Sequence, residues 1–141
     1  INNAGLTLSE RSETEDGLES TLGINHFGHF ALTGLLVERL KHSAPARIVV
    51  LSSDAHRGAL RGLDFDDMQA RRNYSGMGTK LANLLFTVEL AERLQGSGVT
   101  VNAVHPGVVA TEFAGADDVG GLMGRLLVRA SHLFSLRCAH P

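Results

Sequence analysis

Apolar residues fall into three short runs, separated by longer stretches where they recur every three or four positions. The first run is a stub, Ile1 before Asn2-Asn3-Ala4-Gly5. The second is Arg47-Ile48-Val49-Val50-Leu51, closing in Ser52-Ser53. The third is Val99-Thr100-Val101-Asn102-Ala103-Val104, closing in His105-Pro106-Gly107. β-Branched runs bounded by Gly, Pro and Ser predict short, fully buried strands. Between them lie two helical patterns. The first opens at Ser12-Glu13-Thr14-Glu15, which has capping-box spacing and an acidic first turn. It continues through Leu18, Leu22, Phe27, Phe30, Leu32, Leu35, Leu36 and Leu40. The second runs from about Lys80 to Leu94 on a stripe of Leu81, Leu84, Leu85, Val88, Ala91 and Leu94, and stops at Gly96-Ser97-Gly98. A strand–helix–strand–helix–strand order predicts an α/β fold around a parallel sheet of about three strands. Function in such sheets gathers past the carboxyl ends of the strands. Those ends here are Asn2–Gly5, Ser52–His56 and His105–Thr111.

Composition narrows the classes. At 43% hydrophobic and 20% charged residues, the 141-residue chain is expected to be a soluble globular domain. A net charge of −2 gives no electrostatic footprint for nucleic acid. No apolar run is long enough to span a bilayer, and no signal-like segment opens the chain, so the cytoplasm is the expected compartment. The single Cys138 excludes an internal disulfide framework. His26 and His29 share a helix face and His56 follows Ser53, but no Asp, Glu or Cys completes a ligand set, so no metal is expected. Asp64, Asp66 and Asp67 read as a solvated loop.

Five segments in register carry a resemblance. They are Asn2-Asn3-Ala4-Gly5, Ile24-Asn25-His26-Phe27-Gly28-His29-Phe30, Ile48-Val49-Val50-Leu51-Ser52-Ser53, Lys80-Leu81-Ala82-Asn83, and Val101-Asn102-Ala103-Val104-His105-Pro106-Gly107-Val108-Val109-Ala110-Thr111. In that order the chain resembles the short-chain dehydrogenase/reductase family, and within it the retinol-dehydrogenase-like and WW-domain-oxidoreductase-like members. The resemblance implies a partial Rossmann-type sheet, the C-terminal half of a doubly wound NAD(P)-binding fold. Residues 1–113 would be the family core and 114–141 a variable substrate-covering helix. It implies hydride transfer between NAD or NADP and an apolar alcohol, aldehyde or ketone. Asn3, Ala4 and Gly5 would lie along the adenosine side of the cofactor, the Asn also tying the sheet together. Asn25 would hold a water in a proton relay. Ser53 would bond the substrate oxygen. Lys80 would bind the nicotinamide ribose and lower the pKa of a catalytic tyrosine. Pro106, Gly107, Val109 and Thr111 would hold the nicotinamide carboxamide.

Each position also has a plainer reading: a strand-end turn for Ser53 and Pro106-Gly107, a backbone-bonding helix residue for Asn25, a first-turn lysine for Lys80. Two departures from the family matter more. The family sets its catalytic tyrosine four residues before the lysine, where this chain has Gly76. The one tyrosine, Tyr74, lies six residues before Lys80. Six residues rotate a helix by about 600°, so a regular helix would turn Tyr74 away, and only a non-helical backbone would deliver it as a substitute proton donor. Met77-Gly78 therefore looks like a deletion joint. Nor does the sequence contain the Gly-x-Gly-x-x-Gly loop that cradles a pyrophosphate. The chain is accordingly expected to be the middle and catalytic half of a reductase, with a non-catalytic fragment or binding scaffold as the alternative. The resemblance implies a small apolar substrate as partner and, since family members often pair through the helix matching Lys80–Leu94, a second copy, although that stripe could equally be core. The basic stretch 121–137 is open to contact with a membrane surface.

Overall fold

The computed structural model describes residues 1–59, 62–72, 74 and 78–107. A short helix α1 (Ser20–Leu22) leads through a wide π turn (Gly23–Phe27) into α2 (Gly28–His42). Strand β1 (Ala46–Leu51) follows, then two 3-10 turns (Asp54–Gly58 and Phe65–Asp67), α3 (Gly78–Arg93) and β2 (Val99–Val104). β1 and β2 pair in parallel, Ala46 opposite Val99 through Leu51 opposite Val104. The stub expected at Ile1 is a single parallel bridge from Asn2 to Val50. Asn2 N–H donates to the Val49 carbonyl and its own carbonyl accepts from Leu51 N–H. The fold is thus α/β, with three chain segments side by side in parallel. No described helix is long and apolar enough to cross a membrane.

The first helix begins later than its capping-box spacing predicts. Ser12–Leu18 forms a tight turn instead, with Gly17 at φ +75°, a left-handed conformation that interrupts a helix. Thr14 closes that turn through its backbone and its hydroxyl to Leu18. The helix is capped by Glu19, whose buried carboxylate accepts from Thr21 N and Leu22 N at 2.6 and 2.7 Å. That satisfies two donors that a helix start leaves orphaned.

The inner row of this helix also differs from its apolar stripe. Asn25, His29 and Thr33, four residues apart, are buried, whereas Phe30, Leu32, Leu35 and Leu36 are exposed. The inner row is polar where it passes Asn2, and turns apolar further on, where Val37 and Leu40 reach the core. On α3 likewise, Leu85 and Val88 of the expected stripe are exposed, while Thr79, Ala82, Asn83 and Thr87 are buried.

The core lies on one face of the sheet. Ile48, Val50, Val99, Val101 and Leu94 are buried there, with Phe86, Leu90 and Ala91 packed against them. Alternate strand residues point to opposite faces. On the second face Arg47, Thr100, Asn102 and Val104 are exposed. Gly98 permits the two strand entrances to meet: its φ is +75°, and a Cβ there would sit 2.9 Å from that of Ala44.

Candidate functional site

The carboxyl ends of the three parallel segments, the π turn and the start of α3 hold most of the candidate residues. Ser52 fastens them together. Its N–H donates to the Val104 carbonyl at 2.9 Å and its hydroxyl to the Lys80 carbonyl at 3.1 Å. Ser53 follows in an extended conformation and caps the 3-10 turn, its Oγ accepting from Ala55 N at 3.2 Å. That bond uses an oxygen lone pair and leaves the hydroxyl proton to donate. The Ser53 carbonyl accepts from His56 Nδ1 at 2.6 Å, so that ring nitrogen carries the proton.

Lys80 is half-buried in the first turn of α3, and burial pushes its amine pKa below the ordinary value. Asn25 is fully buried in the π turn. Its side-chain oxygen accepts from Leu6 N and its Nδ2 donates to the Leu6 carbonyl, both at 2.8 Å. It therefore clamps the loop that follows Asn3-Ala4-Gly5. A longer contact of 3.5 Å joins its Nδ2 to Thr79, next to Lys80. Wide π turns inside helices recur at functional sites.

Asn3 and Ala4 are exposed and Gly5 is half-buried. The asparagine that ties the sheet is Asn2, not Asn3. Besides its backbone bridge, its Nδ2 donates to Thr33 Oγ1 at 2.9 Å. Pro106 and Gly107 are exposed, Gly107 at φ +74°. Val109 and Thr111 lie outside the described residues, as do Gly76 and residues 114–141. His105 Nε2 meets Asp54 Oδ2 at 3.0 Å, linking the loops after β1 and β2.

Tyr74 is not delivered into the Lys80 helix. Its hydroxyl donates to the Leu8 carbonyl at 3.1 Å and shares a 2.7 Å bond with Thr21 Oγ1. Since the phenol has one proton, Thr21 is the donor in the second bond. The segment before Tyr74 is held alongside, through Glu19 N to Gln69 Oε1 and Arg11 Nε to the Gln69 carbonyl.

Two buried groups escaped the sequence reading. Asn83, one turn beyond Lys80, donates to the carbonyls of Asn25 and Leu51 and bonds His26. Its place in Lys80-Leu81-Ala82-Asn83 was the only signal. His29 is buried and, among the described residues, neither ring nitrogen has a hydrogen-bond partner. Burial pushes its pKa down, the charges of Lys80 and His26 add to the fall, and the Asn25 backbone, outside hydrogen-bond geometry, opposes it. Among the described residues no group of three or more His, Cys, Asp or Glu could hold a metal ion. An open groove between α3 and β2, lined by Leu84, Val88, Ala91 and Val101, contains none of the candidate residues.

Residues 1–118 match the family profile described as short chain dehydrogenase. Human retinol dehydrogenase 12 is 50% identical over 149 residues, covering 99% of this chain and 46% of its own length. Mouse retinol dehydrogenase 12 is 57% identical over 118 residues, covering 80% of this chain and 36% of its own length. The chain thus spans about half the length, or less, of these relatives. Among solved structures, a putative uncharacterized protein from Mycobacterium Paratuberculosis superposes with TM-score 0.67 at 42% identity, over 93% of this chain and 48% of that one. A short-chain dehydrogenase from Sphingobium yanoikuyae in complex with NADPH superposes with TM-score 0.63 at 26% identity, over 97% of this chain and 53% of that one.

Proposed function

Because the chain belongs to the short chain dehydrogenase family, we propose that it carries the catalytic half of an NAD(P)-dependent oxidoreductase acting on an apolar alcohol, aldehyde or ketone. One observation carries the reading. Ser52 joins β1, β2 and the backbone of Lys80, so Ser53 and Lys80 stand on segments locked together beside the open Pro106-Gly107 loop. The bound nicotinamide would supply a hydride donor or acceptor. Ser53 orients the substrate oxygen with its free hydroxyl proton. Lys80 holds the ribose, and its depressed pKa eases proton exchange. Asn25 keeps the loop after Gly5 in place.

The residues fit such a cofactor in part: exposed Asn3 and Ala4 suit its adenosine side, and exposed Pro106 and Gly107 with the half-buried Lys80 suit its nicotinamide-ribose end. They offer no Gly-rich cradle for the pyrophosphate. The retinol dehydrogenase relatives favour a lipophilic substrate. Exposed Leu85 and Val88 on α3 support pairing with a second copy.

A second reading, a reductase-like scaffold without turnover, is favoured by Gly76 and by the bonds that hold the Tyr74 hydroxyl to Thr21 and Leu8. The human alignment also runs over 149 positions, more than the 141 residues of this chain, in keeping with residues missing from within it. Titrating reduced nicotinamide mononucleotide, which needs no pyrophosphate cradle, into the 141-residue chain and following its fluorescence separates the two readings. Saturable binding that Lys80→Met weakens about tenfold, a loss of about 1.4 kcal/mol, supports the catalytic reading. No binding at millimolar nucleotide supports the scaffold.

A further inference from the structure

We propose that Asn83 is a positioning residue for the Ser53–Lys80–Asn25 centre, and that the Nδ1–H of His26 fixes the orientation in which it works. The inference rests on the oxidoreductase reading. Asn83 is 1% exposed. Its Nδ2 donates to the Asn25 carbonyl at 3.0 Å and to the Leu51 carbonyl at 3.3 Å. Its Oδ1 lies 2.9 Å from His26 Nδ1. Carbonyl oxygens only accept, so the amide nitrogen must face Asn25 and Leu51. The amide oxygen then faces His26, and since it too only accepts, His26 Nδ1 carries the proton. A flipped amide would set its oxygen against two carbonyls, leaving buried acceptors unsatisfied.

The three segments so joined are those that carry the centre. Leu51 ends β1 and leads through Ser52 to Ser53. Asn25 stands in the π turn, and Asn83 itself lies one turn beyond Lys80 on α3. One side-chain amide therefore sets the spacing between the three groups, and one imidazole N–H secures the oxygen end of that amide.

A plainer role for His26 is packing, since its ring lies 5.5 to 6.3 Å from those of Phe27, Phe30 and Phe86. Two variants separate the roles. His26→Phe keeps an aromatic ring and deletes the N–H. His26→Asn deletes the ring and keeps an N–H near the Nδ1 position. Lys41 and Lys80 are the only lysines in the chain. Reductive 13C-methylation thus reports Lys80 with Lys41 as an internal reference, while nitrogen-15 labelling reports the Asn83 side-chain amide.

His26→Phe is expected to broaden or double the Asn83 amide signals and to move the Lys80 titration midpoint upward, toward that of an ordinary lysine, by about half a pH unit or more. His26→Asn is expected to keep both as in the parent. Asn83→Asp, which cannot donate, should reproduce the Lys80 shift while circular dichroism stays unchanged. If Phe is silent, if both His26 variants act alike, or if the amide responds and Lys80 does not, the proposal is overturned. A failed titration with reduced nicotinamide mononucleotide would remove the oxidoreductase reading but leave these signals as they are.

Discussion

Replacing Tyr74 by Phe tests whether its phenol belongs to the fold or to the chemistry. The substitution keeps the ring and deletes the oxygen that bonds Leu8 and Thr21. Each hydrogen bond contributes about 0.5–1.5 kcal/mol net, and Thr21, 1% exposed, would keep a buried hydroxyl with one partner fewer. The expected loss is about 2–3 kcal/mol. Thr21→Val removes the other partner without changing the volume much, and the double variant should lose less than the sum, by about 1 kcal/mol. Urea unfolding followed by circular dichroism reads these differences. With a slope of about 1–1.5 kcal/mol per molar for a chain of this size, 2 kcal/mol moves the midpoint by about 1.5 M. If both single variants stay within about 0.3 kcal/mol of the parent, the phenol is not tied down. Tyr74 would then be available to Lys80, and the reasoning against it fails.

Three further outcomes are expected. Gly98→Ala should cost at least about 2 kcal/mol, because it adds a contact with Ala44 to left-handed strain, whereas Gly96→Ala, at φ +76° in open space, should cost about 1 kcal/mol; equal losses in urea would contradict the close approach. Val50→Ala, at a fully buried position, should cost about 2–3 kcal/mol, and a loss below 1 kcal/mol would show that the core is not packed there. For both His29 and Lys80 the folded pKa is depressed, so the unfolded chain binds more protons between that value and the ordinary one. Stability should therefore fall with acid below about pH 6.5 through His29, and rise with alkali toward pH 10.5 through Lys80. Midpoints measured across pH should lose the acid limb in His29→Gln and the alkaline limb in Lys80→Met; a limb that survives its variant belongs to another group.

The strands and α3 were legible because local signals agreed. β1 differs from its sequence reading by one residue at Ala46, β2 coincides from Val99 to Val104, and α3 begins at Gly78 rather than Lys80. The first helix was not, for reasons of tertiary context. Ser12 has the right spacing for a cap, but Gly17 in a left-handed turn passes that role to Glu19. Apolar periodicity held at Leu22 and Leu40 but pointed the wrong way between them, at Phe30, Leu32, Leu35 and Leu36, because the inner row there carries Asn25, His29 and Thr33. Hydropathy cannot distinguish a helix that lines a cleft from one that seals a core. Ser53 and Lys80 were found only by their register with a known family. Asn2 and Asn83 join segments remote in sequence, 31 residues for Asn2–Thr33 and 58 for Asn83–Asn25, and no local pattern reports such pairs.

The wide turn at Gly23–Phe27 holds one residue more than a regular helix would over the same rise. Successive helical residues are about 100° apart. Losing a single codon there would let a regular helix cover the same rise, with His29 and Thr33 still in phase and Asn2 still bonded to Thr33. What would go is the local widening that presents Asn25 to Leu6. At this point inheritance can shorten the sequence without turning the helix over, and only the site would feel it.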